Sequence, residues 1–208
     1  VGQPWYLGET IITGIGQGYI QSTPLQLCMM TAQIANGGYA IKPKIIVDSN
    51  PISYEDAKQS MESGLLFDSN SDSLLDKRLF INKKNIKIIQ EAMFASTNER
   101  FGTSYKSRID DPKYQFAGKT GTAQVKKISK RERELDLELE QIPYKDRDHA
   151  LYVAYGPYIN PRYALSIIVE HGGSGSKAAA PIAKKLFKLI IDRHELRNKQ
   201  SNFERITI

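Results

Sequence analysis

The residues best suited to chemistry stand together in the segment Lys119-Thr120-Gly121-Thr122. An ammonium and two hydroxyls can bind a carboxylate through charge-assisted hydrogen bonds, which are stronger than neutral ones. Side chains alternate along a strand, so Lys119 and Gly121 would face one way and Thr120 and Thr122 the other. A ligand that uses both pairs must therefore lie along the strand edge and pair with its backbone. Gly121 would leave room for that approach. The segment by itself is more typical of an edge strand with solvated lysine and threonine.

The composition is that of a soluble globular protein, with 208 residues, 40% hydrophobic and 25% charged. The net charge of +6 fits either an anionic partner or a lysine-rich surface. We expect no nucleic-acid partner, because no basic stretch carries interleaved aromatic residues. The single cysteine, Cys28, excludes an intrachain disulfide and a cysteine-based zinc cluster. With only three histidines, no metal and no cofactor are predicted.

Three helices are predicted from start signals and apolar spacing. Thr23-Pro24 begins the first, which Gly37-Gly38 ends. Asn82 or Asn85 begins the second, which runs to about Arg100, and the last follows the glycine-rich stretch 171–176. The spacing predicts buried stripes of Leu25, Cys28, Met29, Ala32 and Ala35 in the first helix, Ile86, Ile89 and Met93 in the second, and Ile182, Leu186, Leu189 and Ile190 in the last.

Strands are predicted at Phe116–Val125, Ala150–Tyr158 and Tyr163–Glu170, with a short strand pair at 39–47. Residues 48–78 are rich in Ser, Asn and Asp and are typical of a surface excursion. Residues 126–147 form a charged insert, for which a short strand and an irregular helix both remain open. Because no linker or repeat is present, the sequence predicts one α+β domain with an antiparallel sheet flanked by helices.

Four blocks together resemble the C-terminal half of the transpeptidase domain of class B penicillin-binding proteins. They stand in that family's order, span nearly the whole chain, and include an ending similar to elongation-type members. The blocks are Gly14-Ile15-Gly16-Gln17-Gly18 with Thr23-Pro24-Leu25-Gln26-Leu27, Ala35-Asn36-Gly37-Gly38, Gly118-Lys119-Thr120-Gly121-Thr122-Ala123-Gln124, and Asp148-His149-Ala150 through Val169-Glu170-His171-Gly172-Gly173-Ser174-Gly175 to Ala179-Ala180-Pro181.

The resemblance implies that residues 1–208 are the C-terminal part of one penicillin-binding, β-lactamase-like transpeptidase domain that lacks its N-terminal half. It implies a peptidoglycan D,D-transpeptidase, in which a serine attacks the D-Ala-D-Ala carbonyl of a stem peptide and an amine of a neighbouring strand then takes the acyl group. Stem peptides, β-lactam antibiotics and elongation-complex proteins are the implied partners. The implied location is the periplasmic face of the inner membrane, with an N-terminal anchor outside this chain.

The resemblance also assigns roles to site residues. Lys119 would orient groups electrostatically, and Thr120, Gly121 and Thr122 would bind substrate. The backbone N–H of Thr122 would be one of two donors to the developing oxyanion. Gln17 is a further candidate for substrate contact. A phosphate-binding role for the glycine-rich stretch around Gln17 is disfavoured, because the required glycine spacing and preceding strand are missing.

The chain lacks a convincing nucleophile. Ser174-Gly175-Ser176-Lys177 matches Ser-x-x-Lys and Ser96-Thr97-Asn98 matches Ser-x-Asn, but both lie where the family's order does not put them. A serine in the glycine-rich connection would be hydrated and mobile. We therefore expect the catalytic serine to lie upstream of Val1 and this chain alone to be inactive. Two alternatives stay open: a non-catalytic penicillin-binding-fold module that binds stem peptide or a partner, and a serine β-lactamase or β-lactam sensor.

Overall fold

The centre of the structure, a computed structural model, is a three-stranded antiparallel sheet in the order β1-β2-β3. The strands are β1 (Ala117–Ala123), β2 (His149–Gly156) and β3 (Tyr163–Val169). The helices are α1 (Leu7–Gly14), α2 (Pro24–Ala35), α3 (Lys83–Asn98) and α4 (Ala180–Ile206). The structure describes residues 4–41, 43, 79, 82–126 and 137–206, with side chains up to residue 197. The predicted α+β class and antiparallel sheet are confirmed, and each strand lies within a residue or two of its predicted bounds.

One face of the sheet packs on α4. Phe187 of α4 stacks on Phe116 with a ring-centroid distance of 4.9 Å, and Phe116 meets the ring of Tyr152 edge-on. Ala183 and Ile191 of α4 are buried in the same cluster. Alanines at the contact let the helix backbone come close to the strands, so the aromatic rings fill the space between them.

The other face of the sheet packs on α2 and α3. Ile34 of α2 and Met93 of α3 are buried against Ala117 and Tyr155. The side chain of Asn82 accepts a hydrogen bond from the N–H of Lys84, so Asn82 is the predicted N-cap of α3. The end of α3 is tied to the sheet, because Asn98 donates to the carbonyl of Phe116 at 2.9 Å. Helices on both faces therefore fix the position of β1.

The predicted buried stripes were partly wrong. In α4 the buried residues are Ala180, Ala183, Phe187 and Ile191, whereas Leu189 is 66% exposed and Ile182 is exposed too. In α2 the buried residues are Thr31 and Ile34, and Leu25 is exposed. In α3, Ile86 and Met93 are buried as predicted, but Ile89 is exposed. Apolar residues occur on two sides of these helices, and the small residues that the sheet accepts carry little hydrophobic signal.

Helix α1 was not predicted, because its glycines at both ends favour a loop. Its start is fixed instead by Glu9, whose carboxylate accepts the backbone N–H of Tyr6 at 2.7 Å. Trp5 donates from Nε1 to the hydroxyl of Thr10. No residue of α1 is buried, so the burial periodicity that reveals other helices is missing here.

The described part of the charged insert forms two short 3₁₀ turns, Leu139–Gln141 and Tyr144–Asp146. Residues 127–136 of the insert and the excursion at 48–78 lie outside the described residues, as does most of the strand pair predicted at 39–47. Among the residues that the structure describes, no helix is both long and apolar enough to cross a membrane.

A buried polar junction joins β2 to the end of α3. The hydroxyl of Tyr152 lies 2.9 Å from the Thr97 hydroxyl and 3.0 Å from the Ser104 hydroxyl. Burial raises the pKa of Tyr152, and hydrogen bonds from Ser104 and Thr97 oppose that shift. The phenol passes directly over Gly118, where an added Cβ would lie 2.4 Å from the Tyr152 oxygen. Gly118 is therefore required by packing beneath β1.

Tyr152 and Tyr155 form a matched pair for a test of this junction, since both are buried tyrosines of β2. The Tyr155 hydroxyl has no hydrogen-bond partner among the described residues. We expect Tyr152→Phe to lower the free energy of unfolding by about 1–2 kcal/mol, because it removes the hydroxyl that links Thr97 and Ser104. Tyr155→Phe should be neutral or stabilising. Urea unfolding of the two variants measures both values, and equal losses would contradict this account.

Candidate functional site

The candidate site lies along β1, the edge strand of the sheet. Strand β1 pairs with β2 on one side only, with Lys119 opposite Val153 and Thr122 opposite Ala150. No other described strand pairs with it. The side chains of Lys119 and Thr122 are exposed, and Thr120 and Gly121 are half-buried. An edge strand of this kind offers unpaired backbone N–H and C=O groups to a ligand.

The ammonium of Lys119 lies at this edge. It donates to the carbonyl oxygen of Thr120 at 2.8 Å. Within the described part of the chain, no carboxylate forms an ion pair with Lys119. Although Lys119 and Thr120 start on opposite faces of the strand, the long lysine side chain brings its charge back to the backbone. The positive charge is thus available to an anion that binds along β1.

Gln17 reaches the same edge from far away in the sequence. Its Nε2 donates to the carbonyl oxygen of Thr122 at 3.0 Å. The carbonyls of Thr120 and Thr122 therefore both accept from side chains, which indicates that they point away from β2. In an extended antiparallel strand the N–H and C=O of one residue point to the same side. The N–H of Thr122 consequently faces the open edge, where a ligand oxygen could accept from it.

Two glycines in the left-handed region set the position of Gln17. Gly16 has φ +79° and Gly18 has φ +76°, conformations that cost other residues about 1–2 kcal/mol. The N–H of Gln17 donates to the carbonyl of Ile12 in α1 at 3.0 Å. The chain thus turns sharply after α1 and presents Gln17 towards β1. The Gly-x-Gly-x-Gly pattern in the sequence therefore indicates a sharp turn.

The start of the last helix presses against β1 and β2. A π-helical turn, Gly175–Ala179, precedes α4. A Cβ added to Gly175 would lie 2.3 Å from the carbonyl oxygen of Leu151 and 2.8 Å from that of Gly121. At Gly121 an added Cβ would lie 3.3 Å from the Cβ of Leu151. Packing within the sheet therefore favours glycine at position 121. This reason is separate from the approach of a ligand, which the sequence suggested.

The Ser-x-x-Lys match lies next to the site but has no catalytic geometry. The hydroxyl of Ser174 pairs with the hydroxyl of Ser176 at 3.0 Å. Lys177 is exposed, and its hydrogen bond to Ser174 comes from its backbone N–H, which donates to the Ser174 carbonyl at 3.1 Å. The segment is helical from Gly175 onward, so helical structure begins within the glycine-rich stretch and not after it. Its proximity to Gly121 was not predicted, because it depends on tertiary packing.

The Ser-x-Asn match serves the core. Thr97 belongs to the Tyr152 junction, and Asn98 holds the carbonyls of Phe94 and Phe116. The Ser96 carbonyl accepts from both the backbone and the hydroxyl of Ser104. These bonds tie the end of α3 to β1 and leave the motif away from the open edge.

Two histidines lie at the end of the sheet where β1 stops. The N–H of His171 donates to Nδ1 of His149 at 2.9 Å, and Nδ1 of His171 lies 3.0 Å from the carbonyl of Arg147. His149 is the register partner of Ala123, the last residue of β1. Both histidines thus join the insert to the sheet. Of the predicted site residues, Lys119, Thr120, Gly121, Thr122 and Gln17 come together, and no described cluster of metal ligands accompanies them.

Comparison with known proteins agrees with this geometry. The family model of the penicillin-binding protein transpeptidase domain matches residues 1–188. The chain belongs to this family. A curated relative, the peptidoglycan D,D-transpeptidase MrdA of Salmonella typhimurium, is 32% identical over 90% of this chain. The chain spans only 28% of the length of that relative.

Solved penicillin-binding protein structures show the same fold. PBP2 of Helicobacter pylori, solved in complex with MreC, is 32% identical, with a TM-score of 0.64 over 90% of this chain and 29% of that one. PBP2 of Pseudomonas aeruginosa, solved in complex with WCK 5153, is 34% identical, with a TM-score of 0.62 over 88% of this chain and 32% of that one. The resemblance to elongation-type penicillin-binding proteins is therefore confirmed.

The contact of Gly175 with β1 can be tested in this transpeptidase-family chain. We expect Gly175→Ala to destabilise the fold by about 1–3 kcal/mol and to speed hydrogen exchange in β1, because the new methyl group overlaps backbone oxygens. Gly8→Ala is the control, since nothing lies within 4 Å of a Cβ at that position in α1. That change should be neutral or stabilise by up to about 1 kcal/mol. Urea unfolding with amide exchange measures both, and a neutral Gly175→Ala would contradict the contact.

Proposed function

We propose that this chain supplies the substrate-binding strand of a peptidoglycan D,D-transpeptidase that works through a serine acyl-enzyme and is inhibited by β-lactams. The observation that carries the proposal is the open edge of β1, where the Lys119 ammonium and the outward backbone groups of Thr120 and Thr122 lie together. Membership of the transpeptidase family supports it.

In this proposal the terminal carboxylate of a D-Ala-D-Ala peptide binds at Lys119, and the threonine hydroxyls add hydrogen bonds. The peptide backbone pairs along β1 as an added strand, a mode of recognition that gives affinity through main-chain hydrogen bonds. Gly121 carries no side chain that would obstruct this approach. A β-lactam with its own carboxylate would occupy the same edge.

The chemical role of β1 is to stabilise charge. When a serine attacks the peptide carbonyl, negative charge grows on the carbonyl oxygen, and the outward N–H of Thr122 is placed to donate to it. Loss of one such donor commonly costs about 100-fold or more in rate. Within residues 1–208 no serine is joined to a base with catalytic geometry among the described residues, so we propose that another part of the protein supplies the nucleophile.

Partners and location follow from the relatives. The Helicobacter pylori PBP2 was solved with MreC, and by analogy we propose that this protein binds elongation-machinery proteins. The Pseudomonas aeruginosa PBP2 was solved with WCK 5153. The D,D-transpeptidase name of the MrdA relative supports peptidoglycan stem peptides as substrates. From the family resemblance we propose the periplasmic face of the inner membrane as the location. We propose that residues 1–208 form the C-terminal part of the transpeptidase domain.

The test is acylation of the complete gene product by a fluorescent penicillin. We expect covalent labelling, and we expect Lys119→Met to lower the second-order labelling rate by about 10- to 100-fold, because a charge-assisted bond to the carboxylate is lost. Lys177→Met is the matched control. It removes an exposed lysine of the π-helical turn Gly175–Ala179, a turn that contacts β1, and should leave the rate unchanged.

The other outcomes separate the remaining functions. No labelling of the complete gene product, together with co-sedimentation with peptidoglycan, would point to a non-catalytic module. Rapid turnover of the penicillin would point to a β-lactamase, whereas a sensor would keep a stable label and release no D-Ala from a D-Ala-D-Ala peptide. The chain of residues 1–208 alone should remain unlabelled, and a label that maps to Ser174 would overturn the assignment of the nucleophile.

A further inference from the structure

We infer that Gln17 is a displaceable cap on the ligand-binding edge, which a peptide must move in order to pair with the carbonyl of Thr122. The inference rests on the proposed function, because it concerns the same edge. It makes Gln17 a specificity-determining residue, since it competes with ligands that donate an N–H to this carbonyl and not with other ligands. Ligands without that donor gain nothing from displacing the glutamine.

The hydrogen bonds at the edge carry the inference. Two carbonyls that point away from β2 are occupied by side-chain donors, Thr120 by Lys119 at 2.8 Å and Thr122 by Gln17 at 3.0 Å. A strand added to β1 needs these carbonyls as acceptors for its own N–H groups. Lys119 can release its bond and keep its charge near a ligand carboxylate. Gln17 carries no charge and competes for the acceptor directly.

The attachment of Gln17 is suited to release. Its side chain makes one hydrogen bond to β1 and is only half-buried. Its backbone is held separately, by the bond to Ile12 and by the turn between Gly16 and Gly18. The side chain can therefore leave Thr122 without any change in the backbone. A neutral hydrogen bond of this kind contributes little net free energy, so an incoming N–H can replace it.

A fixed strut is the rival role for Gln17. A strut would keep Thr122 in place whether ligand is bound or absent, so its removal would weaken every ligand that uses the edge. If Gln17 is a cap, its removal strengthens the binding of ligands that donate an N–H to Thr122 and leaves other ligands unchanged. The two roles therefore differ in sign, and a comparison of two peptides can tell them apart.

The experiment uses the complete gene product and competition of peptides against a fluorescent penicillin. The probes are diacetyl-Lys-D-Ala-D-Ala and the same peptide N-methylated at the penultimate D-Ala, which cannot donate to Thr122. The variant Gln17→Met keeps the length of the side chain and removes its donor. We expect it to bind the first peptide about two- to ten-fold more tightly and the N-methyl peptide unchanged.

Two controls complete the design. Gln26→Met removes a glutamine whose carboxamide bonds to the backbone of Thr23 in the cap of α2, and it should change neither constant. Gln17→Ala should repeat the effect of Gln17→Met. The ratio of the two peptide constants does not depend on the fraction of folded protein, so it stays informative if a variant is less stable.

The outcomes are distinct. A ratio shifted towards the N–H peptide supports the cap. Wild-type binding with an unchanged ratio in both Gln17 variants, or weaker binding of both peptides, overturns the inference and leaves the proposed function standing. A wild-type protein that binds neither peptide and takes no label overturns both.

Discussion

The outer edge of β1, which no strand in the described part of the chain covers, is the constraint on which the rest of the structure depends. A strand that must pair with a ligand cannot be covered by another strand, yet its polar groups cannot be left exposed to any chance partner. Here the outward carbonyls of Thr120 and Thr122 are occupied by Lys119 and Gln17, two side chains that one hydrogen bond each holds in place. The edge is thus protected without being closed. That compromise explains why a lysine, a glutamine and a glycine-rich turn converge on one short strand.

An edge with only one neighbouring strand needs support from its faces. Helix α3 holds the start of β1 through Asn98. The Tyr152 phenol packs against Gly118 and hydrogen-bonds to Thr97 and Ser104. On the α4 side the backbone at Gly175 leaves no room for a side chain beside Gly121 and Leu151. Each support needs a small residue where two backbones or a ring come close. The glycines of β1 are consequently required by packing, and the proposed approach of a ligand uses the same absence of side chains.

The sequence was sufficient for the sheet, its three strands and the residues of the candidate site. The β-branched and aromatic residues of β2 and β3 predict strands directly. The residue types of the Lys-Thr-Gly-Thr segment are enough to suggest that it binds an anion. Helix faces were less predictable, because Ala183 and Thr31 are buried while Leu189 and Leu25 are exposed. Helix α1 was missed since none of its residues is buried. The contacts of Gln17 and Gly175 with β1 join positions far apart in sequence, and no local pattern encodes which strand they meet.

The order of connections in the sheet also governs how the chain assembles. Strands β2 and β3 are joined by the short segment 157–162, whereas residues 124–148 separate β1 from β2. Closing the longer loop costs more chain entropy, so the β2–β3 hairpin is favoured as the earlier unit and β1 docks onto it afterwards. The contact between Gln17 and Thr122 spans 105 residues, and we expect it to form at the latest stage. We therefore expect the proposed ligand-binding edge to form last, on a hairpin that needs none of it to form.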